Sequence, residues 1–257
     1  GTYIIGTKEL AVIDPGPIDD NHLEAILNVT KDQKITHIIV THTHNDHSPL
    51  SKSLQEKTGA LIYSYNEKHI NTGEDNKFEE GYDKDFKCDI SVKDGDIIKG
   101  KDWTLEAIHT PGHTSNHLCY SLIEEEILFS GDHVMGWSTT VIVPPDGDME
   151  EYMQSLEKLL LRNDRHYLPT HGKMIENPHE LVRKYITHRI SRETQIKKAI
   201  ESGNNKIMDI VKIIYADVDS KLYPAASMST LAHLKRMINN GQIKVNGSNL
   251  NGFYEIN

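Results

Sequence analysis

The segment Thr41-His42-Thr43-His44-Asn45-Asp46-His47 puts three imidazoles and a carboxylate within six residues. Imidazole nitrogens and carboxylate oxygens are ligands for divalent transition metals, and a loop leaving a strand can aim alternate side chains at one point. His42 and His44 share a face at a period of two, and Asp46 and His47 follow the bend beyond. One such segment fills only part of two coordination shells, so further donors must come from elsewhere in the chain. Three candidates occur: His113 in His109-Thr110-Pro111-Gly112-His113-Thr114, Asp132 in Phe129-Ser130-Gly131-Asp132-His133, and His171 in Leu168-Pro169-Thr170-His171-Gly172. Each follows an apolar run and is flanked by Gly or Pro, as a ligand in a tight loop at a sheet edge would be.

These loops need strands and helices to position them. Leu10–Ile13 reads as a strand closed by the turn Asp14-Pro15-Gly16-Pro17. Asn21–Asn28 carries Leu23, Ile26 and Leu27 at helical spacing, with a cap expected near Asp20. Ile35–Val40 is a buried strand by its β-branched content. Ser48-Pro49 is expected to open a helix, with Ser as cap, Pro in the first turn, and Leu50 and Leu54 on its apolar face. Trp103–Ile108 reads as a strand, Leu118–Ile123 and Ile127–Phe129 as a hairpin, and Met149–Leu161 as an amphipathic helix. Alternating strands and helices point to a layered α/β domain over residues 1–178. Beyond Pro178 the pattern is helical, at about 179–202, 206–215 and 227–240. Two short strands follow at Ile243–Val245 and Phe253–Ile256, which makes 179–257 a connecting helix and a small winged-helix-like domain.

Composition narrows the function classes. A chain of 257 residues with 37% hydrophobic and 26% charged residues can bury a sizeable core. No apolar run suits a bilayer span, and Gly1–Gly6 is not a secretory signal, so no membrane partner and a cytoplasmic location are expected. The chain starts on Gly1 without Met, and a preceding N-terminal piece is expected. Cys88 and Cys119 are too few for a disulfide framework, and Cys119 lies in an apolar run read as core. The formal charge is −10, which argues against nucleic-acid binding. It is unevenly spread: Ile190–Asn257 holds nine Lys and Arg against six Asp and Glu.

The HxHxDH segment, followed by His113, Asp132 and His171, resembles in order and spacing the signature of the metallo-β-lactamase superfamily. Asp14 resembles that family's early Asp. The resemblance implies an αββα sandwich with metals at one edge of the paired sheets. It implies that His42, His44 and His113 bind one metal, that Asp46, His47 and His171 bind a second, and that Asp132 bridges both. A His and carboxylate donor set favours zinc for the two ions while admitting manganese or iron. Asp14 would fix a ligand histidine by a hydrogen bond.

Two such ions would bring the pKa of a bridging water toward neutrality and supply a hydroxide nucleophile, with Asp46 orienting it, Asp132 holding both ions, and no covalent intermediate. His133 is the candidate acid for the leaving group. His109 and His117 are read as structural.

The C-terminal part extends the resemblance. Leu181–Arg189 with Arg192-Glu193, then Ile210–Tyr215, Ala225-Ala226 and Leu231–Leu234, and also Ser138–Val141, resemble the β-lactamase-like protein 2 family, which includes single-strand endoribonucleases. His133 stands where mammalian members carry Cys, Pro49 replaces a small residue, and Thr170 replaces Gly. The resemblance implies a hydrolase acting on single-stranded RNA, with Arg183, Lys184, Arg189, Arg192, Lys197 and Lys198 as phosphate-binding cations. The alternative is a small ester or thioester substrate, as for hydroxyacylglutathione hydrolases. A DNA-binding regulator would use Ser227–Asn239 in the major groove, but Leu231, Leu234 and Ile238 make that helix's face a core face. The module is expected to pack beside the active site, shaping the substrate cleft or a homodimer.

Overall fold

The computed structural model describes residues 1–65, 81–248 and 250–257. The first half builds one mixed sheet. β1 (Tyr3–Ile5), β2 (Glu9–Ile13), β3 (Lys34–Ile39), β4 (Leu61–Ser64) and β5 (Ile90–Ser91) lie side by side in that order, β1 antiparallel to β2 and the others parallel. The crossovers are α1 (Asp20–Val29), between β2 and β3, and α2 (Leu50–Thr58), between β3 and β4. A second sheet is ordered β10-β9-β8-β7-β6, built from β6 (Ile97–Lys99), β7 (Thr104–His109), β8 (Leu118–Leu122), β9 (Ile127–Gly131) and β10 (His166–Pro169). It is antiparallel except where β10 joins β9 after α3 (Met149–Leu160).

Strand alternation sorts the side chains into layers. Ala11, Ile13, Ile39, Leu105, Ala107, Leu118, Tyr120 and Phe129 meet between the sheets. Leu10, Val12, Ile35, Ile38 and Val40 face α1 and α2 through Leu23, Ile26, Leu50 and Leu54. On the far side, Ile108, Cys119 and Leu128 pack under α3 through Tyr152, Met153 and Leu156. The order helix, sheet, sheet, helix is the αββα sandwich. A bulge tunes it: Leu10 pairs with Ile35 and Ala11 with His37, so Thr36 is the extra residue. That added residue lets Ile35 and Ile38 share the outer layer although they are three apart.

The C-terminal part comprises α4 (Pro178–Glu201), α5 (Ile207–Ile214), a single 3-10 turn (Ser220–Leu222), α6 (Tyr223–Asn239) and the antiparallel pair β11 (Ile243–Asn246) and β12 (Phe253–Ile256). Its core joins Ile196 and Ile200 to Ile210, Val211, Leu231, Leu234, Met237 and Tyr254. Val143, from the segment between β9 and α3, belongs to this same core. Among the described residues, no helix is long and apolar enough to cross a membrane.

Three terminus expectations are corrected. The cap of α1 is Asp19, whose extended backbone (φ −147°) lets its carboxylate accept from the amides of Asn21 and His22. Pro49, not Ser48, holds the cap position of α2 and offers no side-chain bond, while the Ser48 hydroxyl donates to Asp83. Helix α6 starts at Tyr223 because Pro224 sits in its first turn, where a missing N–H costs nothing.

The approach of α3 to the second sheet depends on Gly112. Its φ is +129°, and a Cβ there would lie 2.3 Å from the backbone N and Cα of Tyr152 in α3. The Gly112 carbonyl also accepts from the amide of Asp148, the cap of α3. Gly112→Ala is therefore expected to lower stability by about 3 kcal/mol, read as a shifted urea midpoint; an unchanged midpoint would refute this contact as a packing constraint.

Candidate metal centre

Every loop singled out by its histidines opens on the same edge of the sandwich, beyond β2, β3, β7, β9 and β10. Asp14 ends β2 in a left-handed conformation (φ 47°), which turns its carboxylate across to the loop after β3. Its Oδ1 accepts from the Thr41 amide (2.8 Å). Its Oδ2 accepts from the Thr41 hydroxyl (2.7 Å) and from His47 Nδ1 (3.0 Å). The Thr170 hydroxyl, beside His171, reaches the same oxygen at 3.4 Å. One buried carboxylate thus ties three strand ends together.

These bonds assign protons. Thr41 gives its only hydroxyl proton to Asp14, so its oxygen must accept from His42 Nδ1 at 3.0 Å. His42 Nε2 is left as a bare lone pair. His113 Nδ1 donates to the Val141 carbonyl (2.7 Å), backed by the Thr140 hydroxyl at 3.1 Å, so its Nε2 is bare as well. Both bare nitrogens point at His44 Nδ1, 3.1 Å from His42 and 3.2 Å from His113. A single ring proton cannot satisfy that convergence, whereas a cation can.

A second group forms beside the first. His171 Nε2 lies 2.9 Å and His47 Nε2 3.2 Å from Asp46 Oδ2. Asp132 Oδ2 is 3.5 Å from His47, 3.6 Å from His171 and 3.9 Å from His113, which puts it between the groups. His47 Nε2, Asp46 Oδ1 and Asp132 Oδ1 are buried without a protein hydrogen-bond partner. Orphaned acceptors facing one another in a desolvated pocket are costly unless a cation draws them together. The donors fall into two sets, His42, His44 and His113, and Asp46, His47, Asp132 and His171, each with ligand atoms within 4.8 Å of one another. All seven predicted ligands are therefore brought together, and the donor set fits metal.

Electrostatics keep the three-histidine ligands neutral and the carboxylates charged, while His47 holds a proton that a bound cation would displace. Burial, reinforced by neighbouring imidazoles, holds the pKa of His42 and His44 well below the usual histidine value, and burial also lowers that of His113. Burial opposes charge on His47 too, but Asp14, Asp132 and Asp46 outweigh it and raise its pKa. Asp46 and Asp132 stay ionised: burial works against them, and the attraction of nearby imidazoles, His171 and His47 for Asp46 and chiefly His47 for Asp132, more than compensates.

His117 is structural, as expected: its Nδ1 meets the Thr110 hydroxyl and its Nε2 accepts from the Asp132 amide (3.1 Å). That close packing is why residue 131 is Gly, since a Cβ there would lie 2.5 Å from His117 Nε2. His109 reaches the Ser115 carbonyl with one nitrogen and stacks on Tyr65. His133 is corrected. It is fully buried against Tyr152, lines no part of the cleft, and burial brings its pKa down to about 3. An imidazole there neither reaches a leaving group nor carries the extra proton at neutral pH.

The cleft above the donors has a volume of about 350 Å³. His44, His113, Asp132 and His171 form its floor, and Met135, Trp137, Val141 and Val143 its apolar walls. Trp137, 70% exposed, stacks parallel to His171 at 6.1 Å. Ala225 of α6 closes one side, so the C-terminal part borders the site. Sequence reading missed Met135, Trp137, Val143 and Ala225 because apolar residues carry no chemical signature. Two of the basic residues of α6 point inward: His233 and Arg236 both bond Glu193 of α4, and Arg236 also bonds Glu150 of α3. A DNA-reading role for that helix is not supported.

Two outcomes follow for the centre. Asp14→Asn keeps the turn but loses an acceptor for His47 and for the Thr41 hydroxyl that orients His42, so affinity for both metal equivalents should fall roughly tenfold or more; zinc titration against a competing chelator would show it, and an unaltered isotherm would refute it. The metal-free protein should lose stability as pH falls through 6.5. Six buried imidazoles, His42, His44, His113, His117, His133 and His233, have lowered pKa values, against two raised ones, His47 and His171. Below 6.5 the unfolded chain takes up protons that those six refuse. Each tenfold gap in proton affinity between the unfolded and folded imidazole is worth about 1.4 kcal/mol, and the raised pair offsets part of the loss. Thermal melts from pH 7.5 to 5 should show a falling Tm; a rising Tm would sink the assignment.

Comparison with known proteins agrees with this geometry. Residues 2–171 match the model of the metallo-beta-lactamase superfamily, and residues 207–252 match the beta-lactamase associated winged helix domain. A beta-lactamase-like protein 2 homolog of Drosophila melanogaster is 30% identical over 98% of this chain and 87% of its own length. An atrochrysone carboxyl ACP thioesterase of Aspergillus fumigatus is 32% identical over 78% of this chain and 59% of its own. The crystal structure of a metallo-beta-lactamase family protein from Thermus thermophilus superposes with a TM-score of 0.80, covering 100% of this chain and 93% of that one at 18% identity. With its His/Asp cluster at the edge of an αββα sandwich and a winged helix behind it, this chain belongs to the metallo-β-lactamase superfamily of hydrolases.

Proposed function

We propose that the protein is a dinuclear metal-dependent hydrolase of an ester or thioester with an apolar acyl group. The observation that carries this reading is the cleft lining: Met135, Trp137, Val141, Val143 and Ala225, with neither Lys nor Arg among the described residues that line it. An apolar trough beside a polar floor suits an acyl chain whose carbonyl lies over the donor cluster. His42, His44 and His113 would hold one ion, Asp46, His47 and His171 the second, with Asp132 shared. Bound there, divalent ions, for which zinc fits the donors, supply an activated water and polarise the carbonyl oxygen.

The chain's own residues set the geometry. Asp46 faces His171 and His47 with one oxygen and leaves the other free of protein partners, so it can accept a proton from the attacking water. Trp137 and Val141 line the cleft beside that floor. The relative named as an acyl carrier protein thioesterase is consistent with this substrate class.

A second reading, cleavage of single-stranded RNA, has one observation in its favour: Arg183, Lys184, Lys197 and Lys198 are exposed along α4. The remaining cations expected to serve RNA are engaged. Arg189 is buried, and Arg192 lies over Tyr215 and donates to the Ile214 carbonyl. Lys184 itself pairs with Glu180.

The test is turnover of matched acyl thioesters of two to twelve carbons and of end-labelled single-stranded RNA, with zinc added. Thioester hydrolysis should rise with chain length and fall at least ~100-fold in Asp132→Ala. Trp137→Ala should raise KM for the long chains about tenfold, the loss of one aromatic contact, and leave the shortest unchanged. Salt-sensitive RNA cleavage without thioester turnover would replace this reading with the second.

A further inference from the structure

The segment between β9 and α3 touches both parts of the molecule. On one side the Val141 carbonyl and the Thr140 hydroxyl fix His113 Nδ1. On the other, Val143 is a member of the C-terminal core with Ile196, Met228 and Leu231. Between these points the Thr140 carbonyl accepts from Nη2 of Arg189 in α4.

Arg189 is unusual in its surroundings. Its residue exposure is 4%, yet no carboxylate is paired with it among the described residues. The nearby acid, Glu193, is taken by Arg236 and His233. Instead the guanidinium lies over the ring of Tyr152, 5.3 Å from its centroid, and gives its directed bond to Thr140. A buried cation without an anion is expensive to maintain, and burial lowers its pKa accordingly. A residue serving only to fill space there would be apolar.

We propose that Arg189 is a positioning residue through which the C-terminal domain sets metal affinity at the three-histidine site. Resting on the Thr140 carbonyl, it holds the adjoining peptide so that the Val141 carbonyl stays on His113 Nδ1 and His113 Nε2 stays aimed at His42 and His44. This coupling selects one half of the centre. The side chains of Asp46, His47 and His171 bond to one another, to Asp14 and to Asp132 rather than to Thr140 or Val141, so the second donor group should be indifferent to Arg189. The inference rests on His113 being a metal ligand, as read above.

The test is a two-equivalent zinc titration of the full chain against a competing chelator, with thermal melts in parallel. Arg189→Met should weaken one equivalent about tenfold, the usual scale for a residue that orients a ligand, and leave the other unchanged. Arg189→Lys, which keeps a donor and a charge, should fold and recover part of the loss. Arg236→Met, which breaks the links to Glu193 and Glu150 without touching residues 138–147, should lower Tm but leave both equivalents intact. Equal weakening of both equivalents by Arg189→Met, or a lower Tm with an unchanged isotherm, would overturn the proposal and leave Arg189 structural. His113→Ala separates the two readings: if it costs neither equivalent, the ligand assignment itself has failed.

Discussion

The carboxylate of Asp14 is the group on which the centre turns. It sits 2% exposed at the end of β2, and its two oxygens accept from the Thr41 amide, the Thr41 hydroxyl and His47. Through Thr41 it dictates which nitrogen of His42 keeps its proton, and directly it does the same for His47. Those residues lie in different donor groups. One acceptor at the end of β2 therefore fixes which nitrogen faces the site for a ligand in each half. The left-handed backbone at Asp14 is a local cost that this network over-determines.

Metal chemistry and substrate choice are divided between layers of the molecule. The strand-end loops of the sandwich provide donors, and desolvation keeps His42, His44 and His113 neutral while nearby imidazoles keep the carboxylates charged. The segment after β9 and the start of α6 provide apolar walls. The winged-helix part is thus a wall of the cleft and a brace for one ligand, and His233 and Arg236 of its α6 serve internal ion pairs.

Much of this is legible in the sequence because metal ligands are polar residues in places where polar residues are conspicuous. His42 through His47, His113, Asp132 and His171 each stand beside a strand-like run, and period-two and period-3.6 patterns locate most of the principal strands and helices. The short strands β4, β5, β6 and β10 are not announced, since two to four residues of mixed composition carry little periodicity. His133 misleads because neighbours in a loop point opposite ways: Asp132 faces the donors while His133 turns beneath them toward Tyr152. Arg189 reads as one of a row of helix cations, and only packing shows that it is the buried one.

The spacing of the donors also bears on how the protein reaches its native state. His44 and His113 are 69 residues apart, and the Asp14 to Thr170 contact closes 156. Closing loops of that size is entropically unfavourable until the sheets between them have condensed. A zinc finger can recruit its ion to a few local residues and fold around it. Here each donor set is completed only by residues far along the chain, so full metal uptake is expected to follow the condensation of the sandwich.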